Sequence, residues 1–469
     1  MNRGKYLAKN TALFALGNFG SKIISFFLVP IYTNVLSTEE YGTVDLVMTI
    51  AIVLVPIITF NIAESVMRFC LDKDADQKKI IDVGILFACI SVLLGILIIP
   101  VTFLFEPIKQ YGMFLALYCV TSGINQIFIY NLRGLEKLLD YAIANILHTF
   151  FIAIFNILFL LAFHWGIKGY FWAYILSNFF TALYAFGKGH VRLRLIQWNP
   201  ASKKLIADMV KYSIVLVPNS FMWWIMNSSD RIMVSSMISV SANGIYAISY
   251  KIPTLLSTFS NIFNQAWSYS AIKENDSDDI DDYSNAMYCN LVAVLSVITA
   301  GLLMIIKPFL WFYVEKSYYT AWKYTPYLFM GFLFLTLGTF LSTSYTVNKD
   351  SKGFLVSGML GAIVNIILNY LLIPILGVYG AALATGTSYF SVYIFRVFHT
   401  RKYMKINILK RNHLIGYCTL IAMCCVMFID NVTGQILLIC GFVFMVIIYH
   451  KYVKMMIGLL SKKLRKNML

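Results

Sequence analysis

The sequence predicts an all-α integral membrane protein of about fourteen transmembrane helices: two six-helix lobes related by a parallel pseudo-two-fold, plus two C-terminal helices. Three observations predict it: the composition, the sidedness of the basic residues and an internal repeat. Apolar residues fill 59% of the 469 positions and charged residues only 13%. A soluble globular chain carries roughly 45–50% apolar and about 25% charged residues, and one so poor in charge would expose large apolar patches to water.

A helix needs about 20 mostly apolar residues to cross a ~30 Å hydrocarbon core. Candidate spans lie at 11–36, 43–66, 80–104, 111–132, 141–163 and 167–187, then at 209–236, 244–268, 287–306, 322–346, 353–375 and 378–398. A last pair lies at 412–429 and 432–450. The domains follow: a lobe at 1–187, a basic cytoplasmic linker at 188–208, a second lobe at 209–400, and two extra helices with a basic tail at 401–469. The short basic start before the first span resembles a signal peptide. Its apolar stretch, however, exceeds the 7–15 residues of an h-region and has no small-residue cleavage site, so it reads as an uncleaved span.

The basic residues test this count. With the N-terminus in the cytoplasm, 30 of the 38 Lys and Arg residues fall on the cytoplasmic side. Lys109, Lys168, Lys307, Lys316 and Lys323 fall outside, and Lys22, Arg231 and Lys251 within spans. Cytoplasmic loops carry the Lys/Arg excess, and one missed helix would exchange the sides of every later loop. The expectation is a plasma (inner) membrane protein with both termini cytoplasmic. The net charge of +16 therefore calls for no nucleic acid.

The repeat has two parts. Ser37-Thr-Glu-Glu-Tyr-Gly42 and Ser239-Val-Ser-Ala-Asn-Gly244 match at an offset of 202. Asn156, Gly166-x-x-Gly169 and Ala173 are matched by Asn365, Gly377-x-x-Gly380 and Ala384. These pairs lay helices one to six over seven to twelve. An even number of spans gives both halves the same orientation, related by an axis along the membrane normal. A cavity between such lobes, opened to alternate sides, is transporter architecture.

Polar residues mark the helix faces that would line it. Asn18, Ser21, Lys22 and Ser25 share one face of the first span, Asn219, Trp223, Asn227 and Arg231 one face of the seventh, and Lys251, Thr254, Thr258, Asn261 and Gln265 one face of the eighth. A charge at helix centre costs ~2.5–3.5 kcal/mol on insertion scales, so such residues face a partner or a wet cavity. Lys22, Arg231, Lys251 and Arg68 are thus candidate substrate-binding cations. Arg68 reads equally as an interfacial anchor, and Asp230 as a coupling carboxylate or as the structural partner of Arg231. Glu64 reads as a coupling carboxylate or as the partner of Arg68. The Ser, Thr and Asn side chains read as cavity lining or as interhelical glue.

No catalytic residue, metal site or cofactor is expected. The eight cysteines form no CxxC pair and have no His at zinc-ligand spacing. The acidic run from Glu274 to Asp282 lacks the Gly and terminal Glu of an EF-hand. There is no GxxxxGK[ST] and no soluble domain to house one, so ATP is not expected to drive the protein.

Gly17-Asn-Phe-Gly20 with Lys22, the run Pro30-Ile-Tyr-Thr-Asn-Val-Leu-Ser-Thr-Glu-Glu-Tyr-Gly42, Ser229-Asp-Arg231, Phe263-Asn-Gln-Ala-Trp267 and Gly377-x-x-Gly380-Ala-Ala resemble the signatures of Wzx-type polysaccharide flippases in order along the whole chain. The resemblance implies the multidrug/oligosaccharidyl-lipid/polysaccharide exporter fold. It also implies a substrate, an undecaprenyl-diphosphate-linked oligosaccharide of surface polysaccharide (O-antigen or capsule type) moved to the outer leaflet. Intramembrane lysine and arginine suit a diphosphate. The coupling ion, H⁺ or Na⁺, stays open. Competing readings are a drug/cation antiporter or a peptidoglycan-precursor flippase of the same superfamily and, in a different class, a membrane polysaccharide polymerase or glycosyltransferase. An antiporter would favour acidic cavity residues, and a polymerase needs longer outer loops. A channel is disfavoured by the repeat and by the lack of a filter-like segment.

Overall fold

The computed structural model describes residues 24–72, 75–192, 199–273, 280–408, 410–452 and 454. It divides into two compact units, Met1–Gly244 and Ile245–Leu469. Every predicted span from 43–66 onward coincides with a helix or with two consecutive helices, and the described part of the 11–36 span, from Ile24, is helical.

In the first unit these are α1 (Ile24–Val35), α2 (Thr38–Ile58), α3 (Ile62–Cys70), α4 (Gln77–Thr102), α5 (Gly112–Gly134), α6 (Leu138–Asn156), α7 (Gly166–Lys188), α8 (Pro200–Ile214) and α9 (Val217–Met237). Helix α10 (Val240–Ser249) begins in this unit and ends in the next. The second unit holds α11 (Pro253–Lys273), α12 (Ile280–Tyr313), α13 (Thr325–Val347), α14 (Ser351–Leu376), α15 (Val378–His399), α16 (Arg411–Val426) and α17 (Val432–Ile448). Seven helical segments among the described residues are long and apolar enough to cross a bilayer, with Ile24–Val35 and Val432–Ile448 as shorter apolar helices.

Three predicted spans are interrupted, each beside a proline. The 43–66 segment breaks between α2 and α3, where Phe60 and Asn61 both take φ of 53° four residues past Pro56. Proline removes a helical hydrogen bond and crowds the preceding turn. The 209–236 segment breaks before α9, which carries Pro218 in its first turn. The 244–268 segment breaks at residues 250–252 and restarts at Pro253. Proline suits a helix start because its missing N–H is unsatisfied there anyway.

In the first unit, α3 packs on α4, α5 and α8, and α7 packs on α5 and α6. Ile62, Val66, Val83, Ile127, Leu132 and Met209 bury their side chains in the resulting core. In the second unit, α15 packs on α13 and α14. Arg396, one of the 30 basic residues placed on the cytoplasmic side by the sequence, lies in the last turn of α15 and is only 2% exposed. Its Nε donates to Ser357 Oγ at 3.1 Å and its guanidinium to Gly338 O at 2.9 Å, so one cation joins α15 to α14 and α13.

The repeat recurs in the backbone. Gly166 and Gly377, matched in sequence, take φ of 54° and 59° at the starts of α7 and α15. A side chain on either of the next matched glycines would meet backbone of the preceding helical segment, Phe159 O for Gly169 and Leu372 O for Gly380.

Candidate functional site

The start of α2 is built by its sequence. Ser37 and Glu40 form a reciprocal capping box, which satisfies two otherwise orphaned backbone donors. One helical face of this first turn meets the start of α10. Thr38 Oγ1 and Ser241 Oγ are 2.7 Å apart. A Cβ on Gly42 would run into Val240 O, and a Cβ on Gly244 would run into Thr38 O. Positions 38 and 42 are the repeat equivalents of 240 and 244 at the offset of 202, so the contact is reciprocal: each repeat's glycine admits the other's backbone. Small residues let helix backbones approach this closely in a membrane.

One turn further along α2 lies Asp45, 9% exposed. Arg231 on α9 donates to Asp45 Oδ1 at 2.8 Å. Asn243 Nδ2 donates to Gly42 O at 3.1 Å and reaches Asp45 Oδ2 at 3.4 Å. The indole of Trp224 on α9 donates to Thr49 O at 2.7 Å. A charge placed in a membrane needs a partner, and here an anion, a cation and an amide close on one another across α2, α9 and α10.

This alters the sequence reading. The guanidinium of Arg231 goes to Asp45, which the sequence analysis did not single out, while Asp230 (2% exposed) accepts the backbone N–H of Arg231. A lone Asp on an apolar helix was the available signal; which cation faced it was not readable. Arg68 pairs with Asp72 at 2.5 Å rather than with Glu64, and both partners are about half exposed. A carboxylate one turn beyond Arg68 is within reach of its long side chain on the exposed surface. Among the charged side chains, Arg133 acts on Glu64.

Lys251 sits in the interruption between α10 and α11, where Thr254 Oγ1 donates to its carbonyl at 2.9 Å. Ser25 is exposed on α1, and Asn227 is half-buried on α9. Lys22 and Asn18 lie outside the described residues, as do the side chains of Asn219, Asn261 and Gln265. Among the described residues no cluster of His, Cys, Asp or Glu could hold a metal.

The family model described as "Polysaccharide biosynthesis protein" matches residues 7–274, more than half of the chain. The chain belongs to that family. This family member is 23% identical over 422 residues to an uncharacterized membrane protein of Methanocaldococcus jannaschii, covering 84% of this chain and 97% of the relative. Its fold is similar to that of the lipid II flippase MurJ in an inward closed conformation, with a TM-score of 0.73 at 14% identity, over 96% of this chain and 100% of that one. It is also similar to an inward-facing MATE multidrug transporter of the MOP superfamily, with a TM-score of 0.61 at 13% identity, over 87% of this chain and 94% of that one. The polysaccharide biosynthesis family member is thus a multi-pass membrane protein of the MOP fold.

Proposed function

We propose that this chain is a flippase that moves an undecaprenyl-diphosphate-linked oligosaccharide from the cytoplasmic to the outer leaflet of the plasma membrane, by alternating access, for surface polysaccharide synthesis. The reciprocal contact of the matched repeat starts, locked by the Asp45–Arg231 pair, carries the reading: it is a closure that can be undone as a unit. With both termini cytoplasmic, as the basic residues favour, the starts of α2 and α10 face outward. The contact is then an outer latch that is closed in this conformation. Its members are backbone, small residues and one ion pair, so parting them leaves polar groups that water can take up.

In this reading Arg231 serves the latch while it is closed. Lys22 and Lys251, on polar faces of spans, are the residues that offer charge-assisted hydrogen bonds to the diphosphate. Arg68 anchors the cytoplasmic end of its span. The membership in a polysaccharide biosynthesis family supports a glycan substrate, and the similarity of fold to flippases and exporters supports translocation.

The test is deletion of the gene, followed by measurement of lipid-linked oligosaccharide in each leaflet. Accumulation in the cytoplasmic leaflet with loss of surface polysaccharide is expected. Normal export in the deletion strain, with no second flippase present, refutes the proposal. Arrest of peptidoglycan synthesis instead would assign the peptidoglycan precursor as substrate.

A further inference from the structure

Arg396 carries a full charge into the second unit with no carboxylate to meet it. It lies in the last turn of α15, yet its side chain reaches away from that end. Its acceptors are Ser357 Oγ at 3.1 Å, in the second turn of α14, and Gly338 O at 2.9 Å. Gly338 precedes the end of α13, Val347, by about 13 Å of helix axis at 1.5 Å per residue. A long basic side chain near a helix end ordinarily snorkels toward water; this one runs the other way. Its five N–H donors make two hydrogen bonds among the described residues, both to uncharged oxygens. No ion pair among the described residues includes it. Asp350, the acid between α13 and α14, accepts instead from Gly353 N–H, Tyr403 and Lys402.

Two further polar atoms in this cluster lack a partner. The Arg396 guanidinium lies 5.5 Å from the centre of the Phe354 ring. Tyr345, 2% exposed, packs on the same ring at 6.4 Å and on the His399 ring at 5.5 Å. Tyr345 Oη and His399 Nδ1 are buried and make no hydrogen bond among the described residues. Glycine at 353 lets the two rings come together, since a Cβ there would fall 2.7 Å from His399 and 2.8 Å from Tyr345.

A buried cation with unspent donors beside an unspent hydroxyl is uncompensated in charge and in hydrogen bonding at once. Such a charge, held away from water, calls for an anion. Charge and space select its kind. Arg396 is a single positive charge, which a monovalent ion neutralises. It and Tyr345 are covered too deeply for a phosphate headgroup to reach, whereas a monatomic halide needs little more room than a water molecule. We propose that Arg396 and Tyr345, with the half-buried His399 at the rim, bind a small monovalent anion of the chloride class, which fastens the ends of α13, α14 and α15 together. The site stands whether or not the chain is a flippase.

Thermal unfolding of the full chain in nanodiscs, with sodium chloride exchanged for sodium gluconate at constant ionic strength, tests the site. A ligand of the folded state raises the transition temperature with its concentration. Stability is therefore expected to climb with chloride, and with bromide, and to fall back as gluconate replaces either. No difference between chloride and gluconate overturns the proposal. Tyr345→Phe locates the ion. Its hydroxyl has no protein partner, so removing it should leave stability in gluconate little changed. It should also raise the chloride concentration at half effect about ten-fold or more, the worth of one hydrogen bond to an ion. An unmoved midpoint places chloride elsewhere and overturns the assignment. Arg396→Met should abolish the chloride response, and a response that survives in it overturns the assignment too; if that variant does not fold, Tyr345→Phe decides alone.

Discussion

Asp45→Asn separates the latch from every other role of the region. The substitution keeps the size of the side chain and removes the charge that Arg231 meets at 2.8 Å. Removing one partner of a buried ion pair typically costs 3–5 kcal/mol, because the remaining charge is left uncompensated. Arg231 keeps 20% of its side chain exposed, against 9% for Asp45, which discounts the cost to about 2–3 kcal/mol. Where that cost falls on the closed conformation, the closed-to-open ratio drops roughly 30- to 150-fold. A Ser241→Cys reporter, placed where Thr38 Oγ1 approaches within 2.7 Å, should then react correspondingly faster with a membrane-impermeant maleimide added outside. Neutralising both members, Asp45→Asn with Arg231→Gln, should recover part of the protection, since no unpaired charge remains. Labelling of Asp45→Asn at the wild-type rate would refute the assignment of this pair to a closure, as would greater exposure of the doubly neutral variant than of the single one.

Three further outcomes follow from the same geometry. Gly42→Leu, whose Cβ would occupy the place of Val240 O, should prevent closure and raise labelling of the same reporter, while a leucine at Gly187, which has open space around it, should leave it unchanged. Arg396→Met should remove the donors to Gly338 O and Ser357 Oγ and lower thermal stability by about 2–6 kcal/mol, at about 1–3 kcal/mol for each of the two acceptors; Arg396→Lys should restore little, because an ammonium lacks the planar fork that spans both acceptors. Asp350, between α13 and α14, accepts hydrogen bonds from Gly353 N–H, Tyr403 and Lys402, which together, the Gly353 bond first, hold its carboxyl down at about 2. Its folded value lies below the ordinary carboxylate value of about 3.9, so its contribution is present above about pH 4 and is lost as pH falls toward 2. Asp350→Asn should therefore show a smaller loss of thermal stability than the wild type across that window, measured in detergent.

The sequence by itself determined the solvent, the helices and the repeat. Hydrocarbon demands long apolar runs whose backbone bonds close within the segment, so each span declared itself by composition and length. The matched glycines were legible because a left-handed turn or a close backbone approach tolerates little else, and Gly166 and Gly377 fulfil that at positive φ. Interruptions were half legible: Pro253 stands at the restart after the break that holds Lys251, whereas Pro56 lies inside α2 and the left-handed Phe60 and Asn61 follow a turn later.

Partners were decided by the tertiary structure. A helix presents a face, but which neighbour meets that face depends on how distant segments pack. Arg231 was visible as a buried cation and Asp45 was one more acid on an apolar helix, 186 residues away. Packing α9 on α2 made them a pair. The same physics hid Arg396 among the basic residues near a helix end until three helices closed around it, and hid His148 until Asn178 from α7 reached its ring. Composition and periodicity say where each residue can be, and a charge or a hydrogen-bonding group acquires its role only from what lies opposite.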